Sequence, residues 1–108
     1  MILSTTNGVP GRRTLRILGI AKGNSIRARH AGRAFLAWLR GIVGGEITDY
    51  TKVIAEAREQ ALDRLVEDAR RLGADAVVGL RFTSTEVMRN AAELLAYGTA
   101  VRLAEGEA

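Results

Sequence analysis

Cysteine is absent from the 108-residue chain, which excludes a disulfide framework, a thiolate zinc site, an iron–sulfur cluster and a cysteine nucleophile at once. Histidine occurs once, as His30, and no Gly-x-Ser-x-Gly elbow accompanies it, so a serine hydrolase has neither its base nor its nucleophile in a recognisable setting. Apolar runs stay well short of the roughly 20 residues that a membrane-spanning helix needs. The opening stretch Met1-Ile2-Leu3-Ser4-Thr5-Thr6 lacks the basic-then-apolar build of a secretory signal, which predicts a cytoplasmic location. With two Phe, two Tyr and one Trp, the core has to be made of aliphatic and small side chains. Acidic residues are missing from the first 45 positions.

That last absence divides the chain. Arg12, Arg13, Arg16, Lys22, Arg27, Arg29, Arg33 and Arg40 stand unopposed before Glu46, while the remainder holds the other basic residues and all 12 acids of a chain whose net charge is +4. Such asymmetry points either to an anionic partner for the first half or to pairing between the halves within an assembly. At 47% hydrophobic and 26% charged the composition is that of an ordinary globular protein. At roughly 100–200 residues per domain, the length predicts one domain over 1–108, with its core in 3–103 and a fraying tail at 104–108.

Gly8-Val9-Pro10-Gly11 reads as a turn between a short strand, Ile2 to Thr6, and a longer one, Thr14 to Lys22, bounded by Gly23-Asn24. From Ser25 to Ile42 the period becomes helical. Ala28, Ala31, Phe35, Trp38, Leu39 and Ile42 share one face, Arg29, Arg33 and Arg40 the other, and Asn24 or Ser25 is the expected cap. A longer helix is expected from Asp49 to Leu72, capped by Thr48 or Asp49 and ended by Gly73. Its buried stripe is Ile54, Ala57, Ala61, Leu62, Leu65, Ala69 and Leu72, and Glu56, Glu59, Asp63 and Glu67 form its solvated acidic face. Ala74 to Val87 and Leu94 to Leu103 then read as a hairpin joined by Met88 to Glu93. The expected fold class is α+β, in the order β-β-α-α-β-β, with a long helix on a mostly antiparallel sheet. A core this short of aromatics, beside so long a helix, implies close packing or burial against another subunit, hence a homo-oligomer.

The glycines in Gly41-Ile42-Val43-Gly44-Gly45-Glu46 lack the Lys-Ser/Thr of a phosphate loop and follow no strand, so they read as a structural turn. One histidine and no cysteine leave carboxylates as the main metal donors, and these suit hard cations. No catalytic constellation and no resident cofactor can be identified. The arginine face is a weak electrostatic signal that by itself establishes neither nucleic-acid nor membrane binding.

Leu72-Gly73-Ala74-Asp75-Ala76-Val77-Val78-Gly79, preceded by Ile42-Val43-Gly44-Gly45-Glu46 and followed by Tyr97-Gly98-Thr99-Ala100-Val101, resembles the YbjQ-like family, labelled a heavy-metal-binding domain of unknown function. Ser4-Thr5-Thr6, Arg27-Ala28-Arg29-His30 with Arg33, and Ala57-Arg58-Glu59-Gln60-Ala61 extend the resemblance from about Leu3 to Leu103. It implies a dodecin-like subunit assembling as a pentamer or decamer in prokaryotic cytoplasm. One branch of that family carries an acidic strand after the Gly79 position. Here the chain reads Arg81-Phe82-Thr83-Ser84-Thr85, which removes those carboxylates as metal ligands.

The expected function is therefore that of a non-catalytic oligomer binding a ligand or partner at grooves between subunits. Gly44, Gly45, Glu46, Asp49 and Tyr50 would shape the assembly or a groove, and Arg27, Arg29, His30 and Arg33 would face an acidic surface or anion. Two alternatives stay open: a metal site built across subunits from carboxylates and His30, and a basic face that binds nucleic acid or an anionic membrane. Neither nucleic acid nor membrane is the expected partner.

Overall fold

The computed structural model describes residues 1–27, 47–88 and 91–105. Strand β1 (Ile2–Leu3) is followed by a turn in which Arg12 N–H donates to the Val9 carbonyl at 3.1 Å, with Gly11 at φ 80°. This is the Pro-Gly turn expected from the sequence: proline supplies the first central dihedral and glycine the positive one. Strand β2 (Thr14–Arg27) comes next, then helix α1 (Ile47–Arg71), and the hairpin of β3 (Ala76–Met88) and β4 (Ala91–Leu103). The four strands form one sheet in the order β1-β3-β4-β2. Only β1 runs parallel to its neighbour; the other two pairings are antiparallel.

The fold is thus α+β, with one helix and four strands among the described residues, and it departs from the expected layout in several places. Strand β2 does not stop at Gly23-Asn24 but continues to Arg27, so Ser25 caps no helix; the rest of the expected first helix lies outside the described residues. Thr48 and Asp49 sit inside the first turn of α1, which begins at Ile47. The hairpin strands reach Met88 and Ala91, which pair with each other, so most of the expected connection is strand. Ala104 is tied down rather than frayed: its N–H donates to the Arg13 carbonyl, and its own carbonyl accepts from Arg12 Nε.

Helix α1 ends as its glycine predicts. Gly73, at φ 82°, donates to the Arg70 carbonyl and Ala74 donates to the Ala69 carbonyl, the paired bonds of a Schellman cap. Ala57, Ala61, Leu65 and Ala69, four residues apart, are its buried row. Leu72, expected to belong to that row, lies past the last turn and is exposed.

The row rests on Ala21, Val77, Leu80, Ala96 and Ala100 of the sheet. Small side chains on both surfaces let the helix come very near. Gly23 marks the closest approach: a methyl group there would lie 2.8 Å from the Arg64 carbonyl carbon and nearer still to the Ala61 oxygen and the Leu65 nitrogen. The same glycine that looks like a strand terminator in the sequence is therefore a packing residue. On the other face Ala76, Val78, Val101 and Leu103 form a second cluster, covered by Ile2 and Val9 from the N-terminal segment.

Candidate functional site

Strand β2 lies at the edge of the sheet, and among the described residues no strand pairs with its outer side. Its alternation is interrupted by register shifts at Thr14/Arg16 and Ile17/Gly19, which make Leu15 and Leu18 extra residues. Ile17 pairs with Val101 and Ile20 with Thr99, so both isoleucines share the face of the second cluster. The N-terminal segment covers that cluster over β3 and β4 but stops short of β2. Leu15, Ile17 and Ile20 are left 58%, 70% and 71% exposed. Three large aliphatic side chains open on an edge strand form the clearest apolar surface among the described residues.

Farther along the same edge the helix itself supplies partners. The Lys22 N–H donates to Asp68 Oδ2 at 2.9 Å, and Arg64 Nη1 donates to the Asn24 carbonyl. Asp68 also pairs with Arg71. The Lys22 amide first, and the Arg71 guanidinium second, hold the Asp68 carboxyl below the usual carboxylate range. These groups line a groove of about 520 Å³ with Gly23 and Glu67. Their bonds are spent on the strand edge, so this part of β2 is closed to a further strand.

A second recess, of about 340 Å³, lies at the other end of the sheet and is lined by Met1, Ile2, Arg12, Arg70, Ala74 and Asp75. Arg12 is held through Nε by the Ala104 carbonyl at 2.8 Å. The Asp75 carboxylate accepts the Leu103 N–H at 2.9 Å and lies 3.7 Å from Arg102 Nε, while Arg102 Nη1 donates to the Gly73 carbonyl. Arg16 stands directly across the ladder from Arg102.

Of the residues singled out from the sequence, Arg27 ends β2 and Asp49 and Tyr50 lie in the first turn of α1. Arg29, His30, Arg33, Gly44, Gly45 and Glu46 lie outside the described residues. The acidic face of α1 is where the helical period puts it, with Glu56, Glu59, Asp63 and Glu67 all exposed. The arginines around the recess were not legible as a group, because Arg12, Arg70 and Arg102 meet only once β4 and the helix cap are in place. The one available hint was the unbalanced basic first half.

Among the described residues no three His, Asp or Glu side chains come together to hold a metal ion, and cysteine is absent from the whole chain. A soft heavy metal asks for thiolate or imidazole, so the described residues do not fit one. No described helix is long and apolar enough to cross a membrane.

A family model described as "Putative heavy-metal-binding" matches residues 1–104. UPF0145 proteins of Archaeoglobus fulgidus and Thermus thermophilus are 54% and 52% identical to the chain over 103 residues, covering 95% of it and 95% and 90% of themselves. A crystal structure of a protein of unknown function from the DUF74 family of Pediococcus pentosaceus shares the fold, with a TM-score of 0.64 at 18% identity over 96% of this chain and 98% of that one. None of these names assigns a reaction. Matched over nearly its full length, the chain belongs to the YbjQ-like family of UPF0145 proteins.

Proposed function

We propose that the chain is a non-catalytic subunit of a homo-oligomer that binds its ligand or partner at the grooves formed between subunits. The observation that carries this reading is the exposed row Leu15, Ile17 and Ile20 on an edge strand whose outer side no strand pairs with among the described residues. With these side chains already partly covered, leaving the rest of each in water forgoes about 1–2 kcal/mol, and a second copy removes that loss by covering them. The chain also offers a second open edge. The N-terminal segment bonds β3 only as far as Leu80, through Ser4 and Thr6, and among the described residues nothing pairs with the outer side of the residues that follow. Two different open edges on one sheet favour head-to-tail association, which closes into a ring where the rotation between copies closes. A pentamer or decamer, the assembly implied by the family resemblance, is consistent with that geometry.

Charge supports the same reading, since a basic first half and the exposed acidic stripe of α1 are complementary surfaces on one molecule. The test is native mass spectrometry of the parent chain and of Ile17→Lys with Ile20→Lys. Both positions are exposed, so the substitutions leave the subunit fold intact while placing charge on the edge. An oligomer in the parent and a folded monomer in the variant are expected. A parent that stays monomeric at micromolar concentration overturns the proposal.

A further inference from the structure

We infer that the arginine-lined recess at the Gly73 end of the sheet is a binding site for a multiply charged phosphoryl anion. It goes beyond the subunit association proposed above and does not depend on it, because none of the recess residues belongs to β2. The argument begins with Arg12. Its Nε is committed to the Ala104 carbonyl, which fixes the plane of the guanidinium and leaves the two terminal nitrogens as a fork, the geometry that suits a phosphate or carboxylate. Arg70, exposed on the last turn of α1, lines the same space and has no ion pair among the described residues.

The acids nearby do not neutralise this group. Asp75 is the one carboxylate lining the recess among the described residues, and its Oδ2 already serves the Leu103 N–H and lies near Arg102. Glu105 follows Ala104 and is exposed. Against them stand Arg12 and Arg70 in the lining itself, with Arg102 beside Asp75. Arg102 also faces Arg16 across the β2–β4 ladder, and like charges directly opposite on a sheet oppose its formation. The carbonyls at the end of α1 would repel an anion, but the Gly73 oxygen is occupied by Arg102 and the Arg70 carbonyl by the Gly73 N–H, so the cap is largely quenched. The ligand class follows from what is present and what is not. A space of 340 Å³ fits a small molecule, and its lining holds no aromatic side chain on which a base could stack.

Calorimetry of the full chain with sodium tripolyphosphate at low salt tests the site, beside co-sedimentation with vesicles of phosphatidylcholine mixed with phosphatidic acid. Saturable binding of tripolyphosphate that weakens about tenfold or more in Arg70→Ala and in Arg12→Ala, and not in Arg58→Ala, is expected for a soluble ligand. Vesicle binding with the same mutational pattern and no tripolyphosphate isotherm assigns the phosphoryl group to a lipid headgroup. Arg70 is exposed, so its variant keeps the test valid if loss of the Arg12 bond to Ala104 unfolds that variant. Absence of binding in both arms, or binding that Arg70→Ala leaves unchanged, overturns the inference.

Discussion

Replacing Gly23 by alanine asks how rigidly the helix is held against the sheet. The added methyl would stand 2.8 Å from the Arg64 carbonyl carbon, whereas ordinary contact begins at 3.4 Å, so α1 must retreat by about 0.6 Å there and farther at Ala61 and Leu65. All three obstacles are backbone atoms and cannot rotate aside. A radial gap of 0.5–1 Å forfeits roughly a quarter to a half of each dispersion contact it opens. For Leu65, fully buried in the row, a quarter of some 40–60 contacts at about 0.1–0.2 kcal/mol each is roughly 1–3 kcal/mol. Loosened alanines at 57, 61 and 69 add to this, so the expected loss is about 3 kcal/mol, a large part of the roughly 5–15 kcal/mol that holds a domain together. Urea unfolding at fixed protein concentration, with an unchanged m-value, measures it. Gly8→Ala, where nothing lies within 4 Å, is the control. If the two variants unfold at the same midpoint, the close approach of helix and sheet is wrong.

Ser25 is buried with its hydroxyl unpartnered among the described residues, so Ser25→Ala should stabilise the fold by up to about 1 kcal/mol, and a clear destabilisation in the same urea assay would reveal a hidden partner for that oxygen. Because the Asp68 carboxyl is held below its ordinary value of 3.8 in the folded state, the stability it adds is complete above that value and disappears as pH falls through the lower, folded one. Asp68→Asn should therefore flatten the part of the acid-unfolding curve below pH 3.8, and an unchanged curve would count against the Lys22 and Arg71 contacts. At Gly73, φ 82° makes Gly73→Ala cost about 1 kcal/mol by thermal unfolding; no loss would mean the cap can end otherwise. Titration with Zn²⁺ or Cd²⁺ should give no saturable heat from a chain with no cysteine and one histidine, and a stoichiometric isotherm abolished by His30→Ala would establish a metal site that uses that histidine.

The parts of the fold that could be read from sequence are those governed by local chemistry. Pro10-Gly11 dictates its turn, and a run of alanine and leucine with helical period, closed by Gly73, dictates α1. Strand β2 resisted because two opposing causes leave the same letters: its alternation is broken by the extra residues Leu15 and Leu18, and Gly23 resembles a terminator although its purpose is to admit the Ala61 backbone. Ala91 and Ala92, poor strand formers, hid the length of the hairpin. The candidate surfaces resisted for another reason. Exposure of Ile17 and Ile20 depends on where the N-terminal segment stops, and the recess joins Arg12 to Arg70 across most of the chain. Neither is written in a window of neighbouring residues.

The strand order carries a consequence for synthesis. Strand β2 leaves the ribosome early, yet its ladder partner is β4, so Ile20 must wait for Thr99 before its backbone is paired. Helix α1 can meet β2 as soon as it emerges, but its buried row stays half-covered until β4 brings Ala96 and Ala100 alongside Ala21. Completion of the sheet and core is therefore held back until β4 has emerged, and during that interval the aliphatic edge of β2 is available to any neighbouring nascent chain. The helix side chains that seal Lys22 and Asn24 arrive only midway through translation, so the seconds that synthesis takes, at about 5–20 residues per second, are when this edge is most open to misassembly.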